Sequence, residues 1–193
     1  MMLFTAVASL LLAGSTWAQS TPAGFTPAVN QTLDVYYGTT FITPGLMVKK
    51  SATQRAPTIG VTNVTLTGKY LLAMIGSGDA KKRRTVLHAL LQDYTPSGQT
   101  QNGTSVLTTR ATTPSSYFGP APPAENPLHP HNYVFLLHEQ PANFAVPAAH
   151  RSAVQSRFDI DWPKFITDAG LKAPLYANYL RVQSGDNTKM FQA

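Results

Sequence analysis

The chain has 193 residues, 43% of them hydrophobic and only 12% charged, with a net charge of +6 and no cysteine. That length suits one substantial core rather than two domains, and the missing cysteines exclude disulfide and thiolate chemistry. Much of the excess positive charge is the single run Lys81, Lys82, Arg83 and Arg84, which lacks the interleaved aromatics of a nucleic-acid surface, so no nucleic acid is expected as partner.

The leader "MMLFTAVASLLLAGSTWAQS" is apolar from Leu3 to Ala13, then small-residue rich up to Ala18. This is the pattern of a cleavable secretory signal, too short for a membrane span. Residues 1–18 are expected to be removed, leaving 19–193 as a single secreted domain with no transmembrane segment. Asn30, Asn63 and Asn102 each begin an N-x-Thr sequon and are expected to carry glycan in a eukaryotic secretory host.

In "QTLDVYYGTTFITPGLMV", Leu33, Val35 and Tyr37 alternate with other residues before Gly38, which predicts strand, turn, strand. "APTIGVTNVTLTGKYLLAMIGSGDA" alternates at first and is solidly apolar from Tyr70 to Ile75, as a buried central strand would be. "TVLHALLQDY" and "TSVLTTRATTP" predict two more strands separated by a polar, glycine-containing turn, with His88 inside the first. Six prolines between Pro114 and Pro130 exclude a regular helix or central strand there and predict a shaped loop. That loop leads into Asn132 to Leu137, the most strand-like stretch of the chain. Ser152 and Asp161 are read as helix caps, with Pro163 in the first turn of the second helix and Gly170 as its stop. "APLYANYLRVQ" predicts a last strand.

The chemistry-bearing side chains gather around "ENPLHPHNYVFLLHEQP", Glu125 to Pro141. Period-two alternation puts His131, Tyr133 and Phe135 on one face, and Asn132, Val134 and Leu136 on the other. His129 and His131 are spaced for metal ligation, but no third ligand stands at a diagnostic spacing, so no metal or cofactor is expected. His138 falls on the face opposite His131 and His150 in a loop, which gives both structural or surface roles. Ser77 followed by Gly78 lacks the Gly-x-Ser-x-Gly elbow of a hydrolase.

The order of these segments resembles the phosphatidylethanolamine-binding protein (PEBP) family over about residues 33–182. "LDVYYGTTFITPG" is similar to its opening strands, "YLLAMIGSGDA" to its central strand and Asp-Pro-Asp-Ala-Pro turn, and "VLHALL" to its next, His-bearing strand. "YFGPAPPAENPLHPHNYVFLLHEQ" resembles its Tyr-x-Gly-x-x-Pro-Pro segment and Gly-x-His-Arg-Tyr strand, and "FDIDWPKFITDAGLKAPLYANYLRV" its closing helix and strand. Ser77, Gly78 and Lys81 replace one Asp and both prolines of the turn, and Asn132 replaces the Arg. The resemblance implies a mainly β fold with a central antiparallel sheet, a smaller second sheet and a few short peripheral helices.

It also implies a pocket in which Asp79, His88, His131 and Tyr133, rimmed by Ser77 and Lys81, bind a small anion: phosphate, a phospholipid headgroup or a carboxylate. Imidazole and phenol suit that task because their hydrogen bonds strengthen when the acceptor is ionised. Fungal members associated with biosynthesis imply an alternative: a catalyst or accessory protein that couples or cyclises maleic-anhydride-type monomers. There His88 or His131 would move a proton while Lys81 or Arg84 neutralises carboxylates. A third implied role, with a peptidase as partner, is serine peptidase inhibition.

Overall fold

The described residues of the computed structural model are 19–77 and 84–185. Residues 1–18, residues 78–83 with Asp79 and Lys81, and residues 186–193 lie outside them. The strands are β1 (Asp34–Tyr37), β2 (Thr40–Phe41), β3 (Leu46–Met47), β4 (Thr58–Thr62), β5 (Tyr70–Ser77), β6 (Thr85–Gln101), β7 (Thr104–Thr108), β8 (Pro114–Ser115), β9 (His131–Glu139) and β10 (Tyr176–Val182). Short helices α1 (Arg151–Ser156) and α2 (Trp162–Asp168) lie between β9 and β10.

Strands follow the order β2-β1-β4-β7-β6-β5-β9-β10-β3, with β8 added on β6. Pairing is antiparallel except for β10 with β3. The long strand β6 pairs with β5 through its first part and with β7 through its last, so the smaller sheet β2-β1-β4-β7 continues from the central one and the whole curls along β6. The turn expected before β7 is narrower than the composition implies. Thr95 to Gln101 remain in β6 despite Pro96 and Gly98, through a register shift between Pro96 and Thr100. The reversal itself needs only Asn102 and Gly103, whose φ values of 50° and 87° suit a two-residue hairpin loop.

Alternation along β9 decides which core each side chain joins. Tyr133, Phe135 and Leu137 enter a cluster with Val35, Ile59, Leu72 and Met74 inside the curl. Val134 and Leu136 enter a second cluster, with Ile75, Leu87 and the helix residues Val154, Trp162 and Phe165, on the outer face. Asp161 caps α2, accepting the Lys164 N–H at 3.0 Å, with Pro163 in its first turn and Gly170 (φ 63°) just beyond its end. Ser152 does not cap α1. That helix continues from a 3-10 turn at Ala148–His150, its N-cap position is His150, and no side chain caps it.

Candidate functional site

His88 owes its position to an irregularity in the sheet. Met74 pairs with Ala89 and Ile75 with Leu87, so β6 carries one extra residue there, and His88 is the unpaired residue of a β-bulge. The bulge puts His88 on the inner face with Tyr133, their ring centroids 5.0 Å apart and edge-on. Gly76 of β5 lies opposite Tyr133 in the sheet and leaves the space for both rings. A Cβ on Gly76 would stand 2.8 Å from His88 Nε2 and 3.3 Å from Tyr133 Cε1.

The Pro-rich loop fixes the tautomer of His88. Phe118 N–H donates to the His88 carbonyl at 2.7 Å, and His88 Nδ1 lies 2.8 Å from the Phe118 carbonyl oxygen. A carbonyl can only accept, so Nδ1 carries the proton and Nε2 keeps the lone pair. Burial lowers the His88 pKa, as does the nearby Arg157 charge, and hydrogen bonds to the Phe118 and Gly119 backbone offset this only in part. His88 is therefore a neutral ring offering an acceptor. Burial also pushes the Tyr133 pKa well up, the Ala121 backbone opposing weakly, so this phenol remains an O–H donor.

The Tyr-x-Gly segment anchors that loop. Tyr117 donates its hydroxyl proton to the Thr53 carbonyl at 2.6 Å and lies 2.8 Å from the Tyr37 hydroxyl. Gly119 permits the approach to Thr53 and Gln54, since a Cβ there would stand 2.8 Å from the Thr53 carbonyl oxygen. Beside this loop a cavity of about 420 Å³ is lined by Val86, Tyr117, Phe118, Arg157 and Phe158. Another, of about 350 Å³, lies on the outer face between Phe25, Ile75, Asn132 and Trp162, and no histidine lines it.

Of the site residues read from the sequence, His88 and Tyr133 come together. His131 shares their face at the start of β9, but its Nε2 is engaged with Glu125 Oε2 at 3.1 Å. His129 Nε2 lies 2.9 Å from the same oxygen, and the two imidazoles stack at 5.9 Å and 21°. Glu125 is thus the third potential ligand that spacing alone did not reveal. Ser77 ends β5 opposite Asn132 and Thr85, while Asp79 and Lys81 lie outside the described residues. Arg84 is not a free cation for a ligand: Asp159 holds it through a bidentate pair as short as 2.6 Å, and it stacks on Phe158.

His138 and His150 are both buried and structural. His138 Nδ1–H donates to the Lys172 carbonyl at 2.9 Å, and burial lowers the pKa of the ring to about 4. His150 Nε2 pairs with Asp168 at 2.7 Å, against the Phe165 ring. Gly76, Phe118 and Glu125 are the site residues that sequence reasoning missed. Gly76 reads as the fraying end of a strand, and Glu125 is six residues from His131 across two prolines, a spacing with no regular period.

The curled antiparallel sheet places two buried polar rings, His88 and Tyr133, side by side at one end of its central strands. The chain belongs to the phosphatidylethanolamine-binding protein family, whose sequence model matches residues 26–180. It is 28% identical to the phomoidride biosynthesis cluster protein N of Talaromyces stipitatus, over 93% of this chain and 97% of that protein. Its fold is that of carboxypeptidase Y inhibitor, solved in complex with its cognate proteinase: TM-score 0.60 and 20% identity over 80% of this chain and 84% of the inhibitor. It is also similar to a phosphatidylethanolamine-binding protein from Plasmodium falciparum, with TM-score 0.46 and 11% identity over 79% of this chain and 85% of that one. Among the described residues no helix is long and apolar enough to cross a membrane.

Proposed function

We propose that this protein acts in secondary-metabolite biosynthesis, holding a maleic-anhydride- or dicarboxylate-type intermediate against His88 and Tyr133 while His88 accepts a proton from it. The observation that carries this reading is the state of His88, a buried neutral imidazole whose Nδ1–H is committed to Phe118 and whose Nε2 keeps its lone pair beside Tyr133. A ring built only to grip an anion would present a proton at Nε2. This one is suited to take a proton from a C–H next to the conjugated anhydride, leaving a carbanion delocalised onto a carbonyl oxygen. The Tyr133 hydroxyl is the donor suited to that oxygen, and the carbanion is the nucleophile that coupling requires. The relative from a phomoidride biosynthesis cluster, matched over nearly its whole length, supports the same class of role. Ser77, Asp79 and Lys81 remain candidates for the pocket rim.

Calorimetric titration with an alkylmaleate, inorganic phosphate and phosphoethanolamine tests the ligand class. Tyr133→Phe is expected to weaken alkylmaleate binding about tenfold or more, the loss of one hydrogen bond to a charged group at roughly 1.5 kcal/mol. Binding of phosphoethanolamine alone, with no response to alkylmaleate, would replace this reading with phospholipid headgroup binding.

A further inference from the structure

We propose that Glu125, His129 and His131 form a binding site for a divalent transition-metal ion of the zinc type. One ligand atom from each residue lies within 4.8 Å of the other two, and both imidazole Nε2 atoms converge on the same carboxylate oxygen, at 2.9 Å and 3.1 Å. Tetrahedral zinc with bonds of about 2.0–2.1 Å places ligand atoms about 3.3 Å apart, so each imidazole–carboxylate separation, 2.9 Å and 3.1 Å, needs to open by only a few tenths of an ångström.

The hydrogen bonding of His129 gives a second geometric argument. Its Nδ1 donates to the Pro127 carbonyl oxygen at 3.0 Å, which aims Nε2 at the Glu125 carboxylate. That Nε2 is withdrawn from solvent, has no aligned hydrogen-bond partner, and faces a carboxylate oxygen at 2.9 Å. A cation between the two would be ligated by both. The Nδ1–H to carbonyl bond is also the usual outer contact that orients a metal-bound histidine.

Two imidazoles and one carboxylate select a borderline cation over calcium or magnesium, which prefer all-oxygen sites. They leave a coordination position for water or a ligand carboxylate. The side chains of Glu125, His129 and His131 are 20%, 32% and 13% exposed, enough for an ion to enter. Pro127 and Pro130 restrict the backbone around His129, which lowers the entropy lost on ligation. His131 is two residues before Tyr133 on the same face, so the ion would lie about 7 Å along the strand from the pocket. The inference does not depend on the proton-accepting role of His88.

The test uses the whole protein, stripped with EDTA, then titrated with Zn²⁺ by calorimetry and with Co²⁺ by visible absorption, whose intensity reports tetrahedral coordination. One ion per chain is expected. Glu125→Gln and His129→Ala should each weaken binding more than about 100-fold, beyond the 10–100-fold typical of an outer-contact loss, while His150→Ala leaves it unchanged. A rise in the wild-type melting temperature with zinc, reversed by EDTA, gives a readout that needs no variant. Absence of saturable binding to the wild type, or binding undiminished in both ligand variants, overturns the proposal.

Discussion

Gly76→Ala probes the packing that brings His88 and Tyr133 together. The added Cβ would stand 2.8 Å from His88 Nε2, 3.0 Å from His88 Cδ2 and 3.3 Å from Tyr133 Cε1. Gly76 has no positive φ, so the cost is one of space rather than backbone conformation. Overpacking of this kind costs about 1–3 kcal/mol, and the smaller unfolded-state entropy of alanine returns roughly 0.4–1 kcal/mol, for a net loss of about 1–2 kcal/mol. In a His88→Ala background the two shortest contacts vanish and the substitution should become nearly neutral. The coupling energy is therefore expected at about 1–2 kcal/mol, read from urea unfolding of the wild type, both single variants and the double variant. Gly60→Ala serves as control, since its Cβ would run into the Ser105 carbonyl oxygen and its cost should be indifferent to His88. If Gly76→Ala costs the same with and without His88, to within about 0.5 kcal/mol, the His88 ring does not occupy the space over Gly76.

Two further outcomes are expected from the structure and one from the sequence. His138 titrates from its ordinary value of 6.5 in the unfolded chain and from about 4 when folded, so the unfolded state binds more protons between those values and stability falls as pH drops through that window. The loss reaches about 3 kcal/mol at pH 4, and His138→Leu should flatten the acid limb of melting temperature against pH, whereas an unchanged limb would contradict it. Tyr117→Phe removes the bond to the Thr53 carbonyl and should cost about 1–1.5 kcal/mol in urea unfolding; a value near zero would mean that the loop holds Phe118 without it. Expressed in a eukaryotic secretory host, the protein should begin at Gln19 and carry glycan on at least one of the exposed residues Asn30, Asn63 and Asn102, and N-terminal sequencing that recovers Met1 on exported protein would count against this.

Period-two alternation was enough to sort His131, Tyr133 and Phe135 from Val134 and Leu136, because β9 is regular and each face meets its own core. Alternation is blind to a bulge. Counted forward from Leu87, His88 falls on the inner face, and counted back from Leu91 it falls on the outer; the extra residue reconciles the two. The proline content of residues 114–130 announced a shaped loop but not that its Phe118 carbonyl sets the His88 tautomer, since such a bond joins residues 30 apart. Glu125 was hidden for the same reason: its meeting with His129 and His131 is made by the path of a proline loop, which has no period to read.

The central claim is that His88 accepts a proton from an anhydride-type ligand, and hydrogen exchange measures that step without any coupling partner. The whole protein is mixed with an alkylmaleic anhydride, or its dicarboxylate, in D₂O near neutral pH, and loss of the proton signal at the carbon next to the conjugated ring is followed by NMR. Wild type should accelerate exchange by at least about 100-fold, the lower end of a general-base contribution. His150→Ala should retain that acceleration and His88→Ala should lose it. Exchange no faster with wild type than with buffer, or equally fast with His88→Ala, would contradict the account.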